Sequence, residues 1–160
     1  MIVVDTDVLL LAFAFQRDER QPANAAFLQQ VQARNAATTI YNVLELLGKL
    51  SFNLAPERLD AWHSWLVDAY QLTVLWPFSP GGPTSTLSFR EEIFERPFAR
   101  MRAVQMPFMD ALILNLADRI PGVTHFVTWN ARRFQDKSGL LAMTPEEYLE
   151  RAANEGQQQG

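Results

Sequence analysis

The chain has 160 residues, of which 48% are hydrophobic and 20% charged, and its formal net charge of -4 gives no global basic field of the kind that marks many nucleic-acid-binding proteins. The absence of cysteine excludes disulfide scaffolds, zinc–thiolate sites and thiol nucleophiles, and the two histidines make a histidine-rich metal site unfavourable. No run approaches the roughly 20 apolar residues that span a bilayer, and no basic segment of a signal peptide precedes the first apolar run, so we expect a cytoplasmic protein without membrane contact.

Strand and helix patterns alternate along the chain. Short apolar or β-branched runs predict strands at residues 2–4, 36–40, 72–76, 125–128 and 140–143. Apolar residues at helical spacing predict helices at residues 8–15, 22–31, 43–50 and 56–69, and a further one from Pro107 that Pro121-Gly122 ends. Capping patterns predict two more, one that starts near residues 84–86 and one from 144 to about 153. This alternation predicts an α/β fold in which a mostly parallel, twisted sheet of four to five short strands is flanked by helices.

The predicted elements indicate one domain over residues 1–153, followed by a polar, frayed tail at 154–160. Ser79–Ser85 is the most obvious loop because it is rich in glycine and proline, and whether it gates a site is left open. Pro97 should break or kink the helix that follows this loop.

Two carboxylates directly follow the first strand. Ile2–Val4 is apolar throughout, which is typical of a central strand that is buried on both faces. Asp5 and Asp7 then lie at the carboxyl end of that strand, where open α/β sheets bind ligands. Two like charges cost free energy there unless a cation neutralises them. We therefore expect Asp5 to be functional, whereas Asp7 is equally well explained as the cap of the first helix.

Three further polar residues have ordinary explanations when each is taken alone. Glu45 lies within a leucine-rich helix and could be its exposed position. Asp110 falls in the first turn of a helix that Pro107 opens, where the helix dipole favours an acid in any case. Asn130 is well placed to cap a turn through residue 134.

Taken together, the segments that carry these residues resemble the PIN-domain family in their order and spacing. They are Asp5-Thr6-Asp7-Val8-Leu9 after an apolar strand, Glu45 in a leucine-rich helix, Pro107-Phe108-Met109-Asp110-Ala111-Leu112-Ile113, and Phe126-Val127-Thr128-Trp129-Asn130 followed by Arg133-Phe134. The resemblance covers residues 1 to about 148 and implies a three-layer PIN-like fold. PIN domains are metal-dependent nucleases, and many small bacterial members are the VapC-type toxin half of a VapBC-type toxin–antitoxin pair.

The resemblance implies catalytic roles for Asp5, Glu45, Asp110 and Asn130, and metal ligation by the three acids with Asp7 as a further ligand. Asn130 stands where the family often has a fourth acid, so it retains an oxygen but lacks the charge. Asp7 could restore that charge, and a second metal ion is in doubt. An all-oxygen site of this kind suits Mg²⁺ or Mn²⁺.

Further residues could support such a site. Thr128, and less directly Thr6, could hydrogen-bond a carboxylate or a water. Arginine suits bidentate contacts with phosphate, and the chain has twelve Arg against two Lys. The candidate RNA contacts are Arg100, Arg102, Arg132 and Arg133, each of which is as well explained by ordinary surface charge.

The resemblance implies a toxin of a type II toxin–antitoxin system that hydrolyses RNA as an endoribonuclease, leaving a 5′-phosphate and a 3′-hydroxyl. It also implies a small antitoxin partner and a homodimer. Trp62 and Trp65 could supply the dimer surface, although core packing explains them equally well.

Two other functions remain open at this point. The first is a PIN-like module that binds RNA or protein without catalysis, with Asn130 as the first sign of lost activity. The second is a haloacid-dehalogenase-type phosphatase, because Asp5-Thr6-Asp7 matches its short nucleophile motif. That phosphatase also needs a downstream lysine and a paired acidic motif, whereas Lys137 stands alone. Mn²⁺ binding and metal-dependent cleavage, each compared with Asp110→Asn, separate the nuclease from the non-catalytic module.

Overall fold

A computed structural model describes residues 1–32, 34–77 and 89–157, with side chains through residue 155. Within these ranges, five strands form one sheet: β1 (Ile2–Val4), β2 (Ala36–Thr39), β3 (Thr73–Leu75), β4 (His125–Val127) and β5 (Leu141–Met143). The strands are all parallel and lie in the order β3-β2-β1-β4-β5. The predicted α/β class and the mostly parallel sheet of four to five short strands are therefore confirmed.

Helices flank this sheet. They are α1 (Thr6–Ala14), α2 (Gln21–Gln32), α3 (Ile40–Leu50), α4 (Pro56–Asp60), α5 (Arg96–Val104), α6 (Phe108–Ala117), α7 (Ala131–Phe134) and α8 (Pro145–Gln157). Two π-helical turns, His63–Asp68 and Glu91–Glu95, accompany them. Throughout the described part of the chain, each helix is too short or too polar to cross a bilayer.

Strand β1 lies at the centre of the sheet and fixes where a ligand site can form. Its residues Val3 and Val4 are fully buried, as the uninterrupted apolar run predicts. From β1 the chain moves outward to β2 and β3 on one side, and later to β4 and β5 on the other. The strand order thus reverses between β1 and β4, and open α/β sheets bind ligands in the crevice at the carboxyl ends of such a pair.

Several element boundaries differ from the prediction. Helix α1 begins at Thr6 rather than residue 8, because the side chain of Asp5 accepts a hydrogen bond from the Thr6 N–H and caps the helix. Helix α3 begins at Ile40, because Thr39 and Asn42 form a capping box. The helix predicted over residues 56–69 is interrupted, since α4 ends at Asp60 and a π-helical turn follows.

The carboxyl-terminal helix is longer than expected. Helix α8 runs to Gln157 instead of ending near residue 153, and Arg151 pairs with Glu155 one turn later. Four residues assigned to the tail are therefore helical, while residues 158–160 lie outside the described ranges.

Two predictions concern segments around the middle of the chain. The Ser79–Ser85 loop and the helix start expected after it lie outside the described residues. Pro97 occupies the first turn of α5, directly after the π-helical turn Glu91–Glu95, so the helical path changes type where the proline predicts a break.

Trp65 packs edge-on against Phe13 with ring centroids 4.5 Å apart, so it contributes to core packing, and the homodimer stays a prediction.

Candidate metal centre

Asp5 is the innermost acid at the carboxyl end of β1. Only 7% of the residue is exposed, and its Oδ1 accepts hydrogen bonds from the Thr6 N–H at 2.7 Å and the Asn42 amide at 2.8 Å. Burial and then the charge of Asp7 raise the pKa of Asp5 well above its usual value, and Glu45 raises it further. Hydrogen bonding to Thr128 opposes this rise. Asp5 is therefore a buried carboxyl group that forms no ion pair with any of the described residues.

Asp7 lies in the first turn of α1 and accepts hydrogen bonds from two residues that follow β4. Its Oδ2 accepts hydrogen bonds at 2.9 Å from the Thr128 hydroxyl and at 2.9 Å from the Asn130 amide. Its Oδ1 is buried and has no hydrogen-bond partner. Burial raises the pKa of Asp7, while the Thr128 hydroxyl acts against that rise. Asp7 is consequently not the helix cap, because Asp5 fills that position.

The side chain of Asn130 hydrogen-bonds to Asp7 and does not cap helix α7. It occupies the position before α7, as predicted, but its side chain makes no capping hydrogen bond. Its amide donates to Asp7 instead, and its backbone N–H donates to the Thr128 hydroxyl at 3.1 Å. The capping explanation for the Asn130 side chain was therefore wrong, and the residue belongs to the acidic cluster.

Glu45 approaches the same cluster from α3. Its Oε2 accepts a hydrogen bond from the Thr6 hydroxyl at 2.7 Å, and its Oε1 lies 2.8 Å from the Lys49 ammonium one turn later. The side chain is about one quarter exposed, so it is not the fully solvated position that its sequence context allowed. Glu45 therefore contacts Thr6, the residue that lies between Asp5 and Asp7 in the sequence.

Asp110 closes the cluster from the first turn of α6. Burial raises its pKa, Arg133 lowers it, and Glu45 raises it, with smaller effects from Lys49 and Asp7. Arg133 Nε lies 3.3 Å from Asp110 Oδ2, yet that buried oxygen accepts no hydrogen bond, so the contact is one of charge alone. The charges of Glu45 and Asp7 both act to raise the pKa of Asp110, which indicates that the three acids face the same part of the molecule.

The cluster fits a divalent cation in its donor chemistry. It offers only oxygen donors, it carries more acids than cations, and two of its buried oxygens, Asp7 Oδ1 and Asp110 Oδ2, have no hydrogen-bond partner. Across the described parts of the chain, no three acidic or histidine side chains are already grouped to hold a metal ion. Glu45 and Asp110 point toward Lys49 and Arg133, so these two acids would have to turn inward to complete a coordination sphere.

The four arginines proposed as RNA contacts have different surroundings. Arg100 pairs with Asp118 and donates to the Lys137 carbonyl oxygen, while Arg102 lies over the Phe98 ring at 5.8 Å. Arg132 and Arg133 are exposed on α7, and Arg133 contacts Asp110. A cavity of about 530 Å³ opens there, lined by Asn130 and both arginines on one side and by three glutamates of α8.

No protein-family model matches the sequence, and no curated protein sequence matches it significantly. The structure is similar to the crystal structure of FitAcB from Neisseria gonorrhoeae, with a TM-score of 0.59 and 16% sequence identity. The superposition covers 91% of this chain and 99% of that chain. The chain has a PIN-like fold. At this identity the similarity establishes the fold, and the chemistry has to be argued from the side chains of the PIN-like domain.

Two residues of the PIN-like site were missed by sequence reasoning. Asn42 is fully buried and donates to both Asp5 and the Thr6 hydroxyl. Lys49 neutralises Glu45. A signal for both was present, because residues 42, 45 and 49 recur at i, i+3 and i+7 and so share one face of α3.

Replacing Asp5 by asparagine should stabilise the metal-free protein at neutral pH. Because the pKa of Asp5 is raised by folding, its contribution to stability is fully present below the ordinary value of 3.8 and is lost as the pH rises through the raised value. Asparagine keeps an oxygen for Thr6 and Asn42 but has no proton to lose, so it stays uncharged as the pH rises. We expect the variant to gain about 1–2 kcal/mol of unfolding free energy at neutral pH.

The measurement is urea unfolding of wild type and Asp5→Asn in EDTA between about pH 4 and pH 8. The difference in unfolding free energy should grow in favour of the variant as the pH rises. Parallel stability curves for the two proteins would show that Asp5 is not under electrostatic strain.

Proposed function

We propose that this chain is a metal-dependent endoribonuclease and the toxin component of a type II toxin–antitoxin pair. The observation that carries the nuclease is the meeting of Asp5, Asp7, Glu45 and Asp110, from three helices, at the strand-order reversal of a PIN-like sheet. Burial raises the pKa values of Asp5 and Asp7, so the charged forms of these two acids cost free energy there unless a cation binds, and carboxylates in such surroundings are candidates for a functional site.

Asp5, Glu45 and Asp110 would hold Mg²⁺ or Mn²⁺, with Asp7 as a further ligand. When bound, such an ion would lower the pKa of a water molecule and polarise the scissile phosphodiester. Thr6 restrains Glu45 through its hydroxyl, and Asn42 fixes the orientation of Asp5.

Thr128 and Asn130 hold one oxygen of Asp7 and leave Asp7 Oδ1 without a hydrogen bond. That unpaired oxygen is the one that Asp7 would offer to the metal ion as a further ligand. Attack by water at phosphorus would release a 3′-hydroxyl and leave a 5′-phosphate, as the PIN resemblance implies.

Arg133 lies 3.3 Å from Asp110, and Arg132 and Arg133 both line the 530 Å³ cavity, so these two guanidinium groups would contact the RNA backbone. Arg102 is also exposed, whereas Arg100 is engaged with Asp118 and contributes to packing between α5 and α6. We therefore favour α7 as the source of phosphate contacts.

One observation favours the non-catalytic module as a second candidate. No three acids in the described ranges are preassembled around a metal position, which is what a domain that had lost catalysis would show. The phosphatase has less support, because the sheet is PIN-like and Lys137 donates to the carbonyl oxygen of Gln105 rather than to an acid of the cluster.

The deciding experiment incubates the full chain with labelled RNA in Mn²⁺, in Mg²⁺ and in EDTA. We expect cleavage with either metal, 5′-phosphate ends on the products, and no cleavage in EDTA. Mn²⁺ binding without any cleavage would favour the module, and the absence of both would reject a metal-dependent function. Growth arrest on expression, relieved by a small protein encoded next to the gene, tests the toxin assignment separately.

A further inference from the structure

Two cations are built into the acidic cluster, one at each flank. The Lys49 ammonium lies 2.8 Å from Glu45, and Arg133 Nε lies 3.3 Å from Asp110. The inner acids differ, because the hydrogen bonds that Asp5 and Asp7 accept within the described residues come from neutral donors. Each outer acid is therefore in direct contact with a cation, whereas the inner acids accept hydrogen bonds from neutral groups.

The contact between Arg133 and Asp110 is weak enough for a divalent cation to replace it. Asp110 Oδ2 is buried and accepts no hydrogen bond, so attraction between the charges is all that holds the guanidinium. The Arg133 side chain is 53% exposed and is free to turn toward the cavity beside it. Half-exposed ion pairs contribute at most about 1 kcal/mol, far less than a divalent ion gains from a carboxylate ligand.

We propose that Arg133 is the internal counter-ion of Asp110 in the metal-free protein and becomes a phosphate-binding group once a divalent cation displaces it. This inference rests on the proposed metal site. It explains why the acids are not grouped around a metal position, since Asp110 is held toward Arg133 and Glu45 toward Lys49. When a metal ion binds Asp110, it releases the guanidinium of Arg133, and the released group can then bind a phosphate.

The coupling predicts opposite effects of one substitution. Arg133→Gln removes a cation that competes with the metal for Asp110, so Mn²⁺ should bind about three- to tenfold more tightly. The same variant lacks the phosphate contact, so kcat/KM for RNA at saturating Mn²⁺ should fall about tenfold or more. A residue with only a structural role would lower both quantities together.

The test is calorimetric titration of the full chain with Mn²⁺ in the absence of RNA, followed by cleavage assays at saturating Mn²⁺. The matched control is Arg132→Gln, which makes the same change in charge one residue away on α7, where Arg132 forms no ion pair within the described residues. Its Mn²⁺ affinity should stay within about twofold of wild type, because an exposed charge is screened over a Debye length of about 8 Å. Lys49→Gln should also tighten Mn²⁺ binding and serves as an independent test on a different helix.

The outcomes separate this inference from the proposed function. If wild type binds no Mn²⁺, the metal site and the counter-ion are both rejected. If wild type binds Mn²⁺ and cleaves RNA but Arg133→Gln does not bind Mn²⁺ more tightly, the counter-ion alone is rejected, whatever the result for Lys49→Gln. Equal tightening by Arg132→Gln would also reject it, because the effect would then be one of overall charge.

Discussion

Replacing Asp110 by asparagine should lower the Mn²⁺-dependent rate of RNA cleavage by at least about 100-fold. The amide keeps an oxygen at nearly the same place but removes the charge that attracts the ion, and metal-ion catalysis contributes several kcal/mol to the barrier, with about 1.4 kcal/mol for each factor of ten. The measurement is a single-turnover cleavage rate at saturating Mn²⁺, with enzyme in excess over labelled RNA.

Asp110→Asn should leave the fold intact. The residue lies in the first turn of α6, where a negative charge is favoured by the helix dipole by less than about 1 kcal/mol, and burial has already raised its pKa. A melting curve in EDTA checks that the variant is folded before its rate is compared with that of wild type.

The control for this variant is Asp60→Asn, which makes the same change in charge at an exposed acid at the end of α4. Its rate should lie within about twofold of wild type, because surface substitutions of this kind have small effects. A cleavage rate near that of wild type for Asp110→Asn would remove Asp110 from the metal site. A large loss in Asp60→Asn would show that net charge, and not the site, controls the rate.

The central sheet was predictable because its signal is local. A fully apolar run such as Ile2–Val4 indicates a strand buried on both faces wherever it occurs, and β1 is indeed the middle strand. The acids that follow it fall at the predicted edge for the same reason. The starts of α1 and α3 were misplaced by two or three residues, because the residues that cap a helix are identified only when their hydrogen bonds are known.

The detailed hydrogen bonding of the site was not predictable from the sequence. Asn130 and Asp7 lie 123 residues apart, and nothing in either local pattern indicates that the amide of one donates to the carboxylate of the other. The pairing of Arg133 with Asp110 is also long-range and depends on how α7 and α6 pack. Asn42 and Lys49 are a different case, because their shared helix face with Glu45 is visible in the sequence.

Replacing Glu92 by alanine should lower the unfolding free energy by about 3–5 kcal/mol, the largest effect on stability that we expect from any single exposed or buried acid in this chain. Glu92 is fully buried in the π-helical turn Glu91–Glu95. The Tyr41 hydroxyl donates to one of its oxygens at 2.9 Å, and the Arg119 guanidinium pairs with the other. Alanine would leave a mostly buried guanidinium without its anion and a buried hydroxyl without its acceptor.

This network also connects the two helices that carry the outer acids of the metal site. Tyr41 lies on α3 with Glu45, and Arg119 lies two residues after the end of α6, which carries Asp110. Glu92 bonds to both, so it fixes α3 relative to the end of α6. Loss of the Glu92 contacts should weaken Mn²⁺ binding even below the melting temperature, because Glu45 and Asp110 would no longer be held at fixed positions relative to each other.

Glu95→Ala is the matched control, because it removes a glutamate from the same turn. Glu95 pairs with Arg90, and both side chains are substantially exposed, so the cost should be less than about 1 kcal/mol. Urea unfolding of the two variants and wild type in EDTA measures the difference. An effect of Glu92→Ala no larger than that of Glu95→Ala would mean that the buried network adds nothing to stability, and the positions of Glu45 and Asp110 would then depend on apolar packing between α3 and α6 alone.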